Sequence, residues 1–233
     1  MGQPRPWATL LVLVGLLAVS NVASNRLLPD ALYVPWNLGI AGLLVLLAVR
    51  VDGRSAAELG LSRDRLPAGL RLGGAIVGLV AVVMLAGAAL PGTRELFDDA
   101  RVDGATAAGV AYDALLRVPF GTVVLEEVAF RGVLPAVLAA RTTTRNAVIG
   151  SQALFGLWHV LPSLHLADRN DVATDLFGKG ATVVPVVFAV VSTAVAGVGL
   201  WLLRRWSGSL AAPMLTHWAT NGLGYLLAYL ATR

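Results

Sequence analysis

Cysteine is absent from the 233 residues, which excludes disulfides and thiolate metal sites and leaves the redox compartment unspecified. Lysine is nearly absent too: of 18 basic residues, all but Lys179 are arginine. Charge of either sign is scarce, at 14% of residues, where an ordinary soluble domain carries about 25%. No internal repeat, low-complexity tract or soluble domain of useful size interrupts the chain. The net charge of +4 and pI of about 10.1 do not indicate a nucleic-acid partner, because most of the arginines lie in short loops.

What fills the chain instead is apolar: 57% of residues are hydrophobic and the mean hydropathy is +0.73. A bilayer core of about 30 Å takes roughly 20 apolar helical residues to cross. Blocks near 7–24, 31–49, 72–90, 118–140, 146–163, 182–203 and 209–231 each approach that length. They predict an all-α fold, a polytopic transmembrane helical bundle of about seven to eight spans, with 1–233 forming a single integral membrane domain. Val22-Ala23-Ser24 resembles a signal-peptide cleavage site, but the spans that follow make a retained first helix the expectation.

The loops set an orientation. With the N-terminus in the cytoplasm, the inner side holds ten arginines and the outer side seven basic residues, the bias expected of cytoplasmic loops. Arginine in place of lysine, with abundant Ala, Val and Gly, suggests a GC-rich bacterial genome and therefore a bacterial plasma membrane. Within 50–71, "SAAELGLSRDRLPAGL" reads as a short interfacial helix followed by a Pro turn. The acidic run "ELFDDARVD" in 91–117 and the polar loop 164–181, with His165, read as solvated.

Against this background "VVLEEVAFRGVLP" (123–135) stands out, holding Glu126, Glu127 and Arg131 in an apolar block. Each charge at the bilayer centre costs about 2.5–3.5 kcal/mol on insertion scales, so the three need partners. Glu127 and Arg131 share a helical face at i, i+4, with Glu nearer the N-terminus, the better order for an ion pair. Glu126 is turned about 100° away and has no partner on its own helix. Pro135 cannot donate to the carbonyl of Arg131, which predicts a kink beside the charges.

Two other blocks carry polar groups one turn apart: Phe155 and His159 in "SQALFGLWHVLP", His217 and Asn221 in "PMLTHWATNGLGY". At about 1.5 Å per residue, Glu126, His159 and Asn221 lie roughly 18–21 Å from the inner ends of their spans and His217 roughly 12 Å. A free carboxylate with two imidazoles at overlapping depth is the equipment of a base-activated water. Phe155 reads as packing, and Trp158 and Trp218 as span packing or cavity wall.

Glu-Glu-x-x-x-Arg (126–131), Phe-x-x-x-His (155–159) and His-x-x-x-Asn (217–221), in this order on separate apolar spans, resemble the CPBP family of intramembrane proteases, also called the type II CAAX prenyl endopeptidase or ABI family. The resemblance covers about 55–231 and includes the lead-in "ELGLSRDRLPAGL". It implies peptide-bond hydrolysis within the membrane. In that scheme Glu126 and His159 activate water, His217 and Asn221 hold the oxyanion, and Glu127 and Arg131 support the site. It also implies an eight-helix core, with the extra helix expected in 95–116, and a metalloprotease label. Zn²⁺ on Glu126, His159 and His217 is possible, but with no His-Glu-x-x-His and an Asn ill-suited to zinc, the metal-free mechanism is the expectation, with no cofactor. The partners implied are the lipid bilayer and a peptide or protein substrate. The competing readings of the same cluster are a proton-coupled transporter, against which stands the lack of paired repeats, and a non-catalytic membrane immunity or scaffold protein.

Overall fold

A computed structural model of the chain describes residues 7–93, 97, 102–164, 171–178 and 180–231. Among these the regular structure is helical throughout: α1 (Ala8–Val22), α2 (Asp30–Arg50), α3 (Ala56–Leu59), α4 (Leu66–Ala89), α5 (Ala107–Tyr112), α6 (Val124–Glu127), α7 (Leu134–Ala139), α8 (Thr144–Trp158), α9 (Asp171–Phe177), α10 (Val183–Ser207) and α11 (Ala211–Ala231). His165 and most of the acidic run at 95–103 lie outside the described residues.

Four helical stretches are long and apolar enough to cross a membrane: Ala8–Leu27, Asp30–Arg50, Arg63–Ala89 and Val183–Ser207. The blocks read as the other three spans are helical as well. They are also the ones that carry the polar motifs. Asp113, Arg117, Glu126, Glu127 and Arg131 punctuate 107–139, α8 is only 15 residues long, and α11 contains His217 and Asn221. The same residues that distinguish these helices chemically dilute their hydropathy.

The helix expected over 118–140 starts earlier. α5 runs into a π-helical stretch, Asp113–Val123, then α6, a second π stretch, Val128–Val133, and α7, all in right-handed helical backbone. The eighth helix anticipated in 95–116 is therefore, from Ala107 onward, the first part of this longer one. Every residue from 125 to 135 is buried, as befits a helix enclosed on all sides. α1 and α2 cover one flank, α8 and α10 another, and α11 packs along both α4 and the first π stretch.

Two prolines lie along the π-helical register. A π-helix bonds each N–H to the carbonyl five residues back. Pro119 therefore withholds a donor from Ala114 O, and Pro135 withholds one from Phe130 O. Both carbonyls are served from neighbouring helices: Trp218 Nε1 donates to Ala114 O at 2.8 Å and Gln152 Nε2 to Phe130 O at 2.9 Å. Where the sequence predicts a kink at Pro135, the helix has widened π turns just before it and the orphan acceptor is capped by α8. Buried carbonyls demand such partners because an unpaired one costs about 1–3 kcal/mol. Trp218, read as packing, is one of these caps.

The lead-in to α4 differs from expectation at one point. The short helix read there is α3, on which Ser55 and Glu58 form a reciprocal capping box and Gly60 closes the end at φ 77°. Pro67, however, sits in the first turn of α4, where its missing N–H costs nothing, and so it opens a helix rather than making a turn. Elsewhere, close approach depends on missing side chains. A Cβ on Gly156 of α8 would come within 2.5 Å of Val190 O in α10, so these two backbones meet only because residue 156 has none.

If Trp218 replaces the donor that Pro119 lacks, Trp218→Phe should lower the free energy of unfolding by about 1–3 kcal/mol. The loss should shrink in a Pro119→Ala background, where the backbone N–H is restored. Thermal unfolding of the four proteins of this cycle in detergent tests the coupling; equal losses in both backgrounds would refute it.

Candidate active site

Glu126 and Glu127 are the last two residues of α6, and Arg131 follows in the second π stretch. Their exposures are 6%, 0% and 1%, so the charges lie inside the protein. Arg131 Nη1 is 3.2 Å from Glu127 Oε1, the i, i+4 pair read from spacing. The same oxygen accepts from His217 Nδ1 at 2.7 Å, which ties α11 to α6. Glu127 thus joins a guanidinium and an imidazole, a fuller neutralisation than the sequence spacing implied.

Glu126 points elsewhere. Its Oε1 accepts from Trp158 Nε1 at 2.9 Å, while Oε2 has no hydrogen-bond partner among the described residues. That free oxygen stands 3.8 Å from His217 Nε2. Trp158 is the site residue that sequence reasoning read only as span packing or cavity wall. Its adjacency to His159 was visible, but nothing in one helix tells which carboxylate its N–H will meet.

α8 ends at Trp158, with His159 as its C-terminal cap. Its N–H bonds to Gly156 O, three residues back, at 3.0 Å, so Phe155 O loses its usual helical donor. The His159 ring fills the gap, with Nδ1 2.8 Å from Phe155 O. A carbonyl only accepts, so Nδ1 of His159 carries a proton. The same logic applies to His217, whose Nδ1 faces a carboxylate.

Phe155 packs at the centre of the cluster rather than on lipid. Arg131 lies over its ring at 3.8 Å, and the rings of His159 and His217 meet it edge-on at 4.7 and 6.4 Å. The cation over the ring face offsets part of the cost of burying a guanidinium whose nitrogens make no hydrogen bond among the described residues. Gly197 of α10 permits the approach: a Cβ there would lie 3.0 Å from the Phe155 ring and 3.1 Å from Arg131 Nη2.

Glu126, Trp158, His159 and Asn221 line one cavity of about 1120 Å³. His217 is not among its lining residues, and its Nε2 lies 3.8 Å from the Glu126 oxygen that is free to face it. The cavity wall also includes Arg26 and Asp30, where α1 passes to α2, and Arg117. These mark the end of the bundle opposite the one that carries Arg50, Arg54, Arg141 and Arg204.

The first two helices supply support that lay outside the core read as 55–231. Asn21 Nδ2 donates to Trp158 O at 2.8 Å, Asn37 Nδ2 donates to Gly121 O at 2.8 Å, and Tyr33 shares a hydrogen with Thr122 at 3.0 Å. Asparagine within an apolar span was the available signal, since such groups seek partners across helices.

A zinc ion would need Glu126, His159 and His217 around one point. Among the described residues no three His, Asp or Glu side chains are arranged to hold a metal, so the donor set as it stands does not fit one.

Residues 110–223 match the family model of the type II CAAX prenyl endopeptidase Rce1-like proteins, the family that the three motifs resemble. The match spans α6 with the Glu pair, α8 with His159, and α11 through His217 and Asn221. No curated protein and no solved structure matches the chain.

Removing one partner of a buried pair costs about 3–5 kcal/mol, because the other charge is left without compensation. Glu127→Gln should therefore lower the melting temperature in detergent far more than Glu126→Gln, which breaks no ion pair with Arg131. Equal shifts in the two variants would contradict the division of labour between the carboxylates.

Proposed function

We propose that this chain, matched to the Rce1-like endopeptidases over residues 110–223, is an intramembrane endopeptidase in which Glu126 is the base that activates water. The observation that carries the reading is the Glu126 carboxylate itself. One oxygen is anchored by Trp158, the other is buried without a hydrogen-bond partner among the described residues, and the group borders a cavity shared with His159 and Asn221.

In this scheme a water in the cavity gives a proton to Glu126 Oε2 as its oxygen attacks the scissile carbonyl carbon. His159, with Nδ1 held by Phe155 O, offers Nε2 as a second acceptor that orients the water. The carbonyl oxygen becomes an oxyanion, which accepts from Asn221 Nδ2 and from His217 Nε2–H. For His217 to donate from Nε2 while Nδ1–H bonds Glu127, the ring must be the imidazolium, and Glu126 and Glu127 are the anions beside it. When the C–N bond breaks, the proton on Glu126 passes to the leaving amine, which restores the carboxylate. Glu127 and Arg131 take no proton; they hold His217 and α11 in register.

The substrate in this reading is an extended peptide, free or part of a protein, that enters from the cavity end of the bundle. The arginine bias of the loops supports an N-terminus in the cytoplasm of a bacterium. The cavity then opens on the outer side of the plasma membrane.

With purified protein and a panel of quenched peptides, Glu126→Gln should reduce kcat/KM by about 10³-fold or more, at the strong end of general-base effects. Its melting temperature should stay close to that of the parent. Asn221→Ala should reduce kcat by roughly 10²–10³, the worth of one oxyanion donor, with KM little changed. Cleavage that survives Glu126→Gln would remove the proposed base, and Glu126-dependent proton flux into liposomes without cleavage would favour transport.

A further inference from the structure

The end of the bundle opposite the cavity carries a second, narrower recess of about 290 Å³. It follows α7 from Ala140 inward to Arg131, between α3, the start of α8 and the last turns of α10. Those eight to nine residues of helix correspond to a depth of roughly 12–14 Å. Its lining is segregated. Arg54, Arg204 and Arg205 gather at the rim with Trp201 and a single carboxylate, Glu58, while the side walls are mainly alanines of α7 and its neighbours. At the inner end sits Arg131, 1% exposed and with no hydrogen-bond acceptor on Nε, Nη1 or Nη2 among the described residues.

The rim arginines are differently engaged. Arg54 is 8% exposed and is taken by Asp52 and Glu58. Arg204 Nη2 donates to the carbonyls of Ala57 and Glu58, at 3.1 and 2.5 Å, and its Nε has no acceptor. Arg205 is exposed and lies 5.7 Å over the Trp201 ring. Neither Arg204 nor Arg205 pairs with a carboxylate among the described residues. Two guanidiniums at neighbouring positions repel, and here they stand over a recess whose inner end holds a third, Arg131, already paired with Glu127.

We propose that this recess binds a phosphate-bearing anion, with Arg204 and Arg205 on the phosphate oxygens and the alanine-lined slot taking the apolar part of the same molecule. Guanidinium forks match phosphate geometry bidentately. The position, at the end of an apolar helix beside an interfacial aromatic, is where basic clusters meet anionic lipid headgroups. The chemistry is shared by an anionic phospholipid and a soluble phosphate compound, and the two are separable by experiment. The site does not depend on the hydrolytic reading.

Full-length protein in neutral detergent, titrated with short-chain phosphatidylglycerol, should show a saturable rise in melting temperature and one bound lipid by native mass spectrometry. Arg205→Gln, at an exposed position, should weaken the apparent affinity about tenfold, as expected for one charge-assisted contact. Arg50→Gln, on the same face but outside the recess, should leave it unchanged. Saturation by phosphatidylglycerol alone identifies a lipid; equal saturation by inorganic phosphate identifies a soluble ligand at the same arginines. An equal response to phosphatidylcholine, or equal weakening in Arg50→Gln and Arg205→Gln, would overturn the proposal.

Discussion

A fully buried carboxylate governs this architecture. Through one oxygen Glu127 forms an ion pair with Arg131 on its own helix and accepts from His217 on α11. Without those partners its helix could not occupy the centre of an apolar bundle, since buried charge is tolerated only when paired. With them, the helix lies enclosed and α11 is drawn to it at a set height. Arg131, in turn, is stacked on Phe155 of α8. One ion pair therefore touches all three helices that bear the motif residues.

Neutralising Glu127 in this way leaves Glu126 outside the ion pair. The two adjacent carboxylates diverge because consecutive helical residues point about 100° apart. One faces the structural network, and the other faces Trp158 and the cavity. The π-helical turns reinforce the arrangement. They expose carbonyls at Ala114 and Phe130 that only side chains from α11 and α8 satisfy, through Trp218 and Gln152. The backbone irregularities thus bind to the central helix the two elements whose histidines stand beside it. This follows the rule that irregular backbone at membrane depth persists only where protein serves its polar groups.

Much of this was legible along the chain. The apolar blocks anticipated the helices, and the i, i+4 spacing of Glu127 and Arg131 anticipated their pair, because both depend on periodicity within one segment. The three motifs pointed to the family that residues 110–223 match. What stayed open was also local in origin. Pro135 marks a disturbance without telling that α8 caps the carbonyl it orphans, and 95–116 reads as room for another helix without telling that α5 runs on into the π stretch. The supporting asparagines of α1 and α2 were passed over because a lone polar residue in a span carries no label for its partner.

The amino-acid order alone determined which helices are apolar, which carry charge, and which two carboxylates face apart, since these are consequences of composition and a fixed rotation per residue. Only the folded bundle decided that His217 bonds Glu127, that Trp158 holds Glu126, and that the site opens at the end away from the arginine-rich loops. Those outcomes join residues 32 and 90 positions apart. They depend on how separate helices cross and slide against one another, which the spacing within any one helix does not specify.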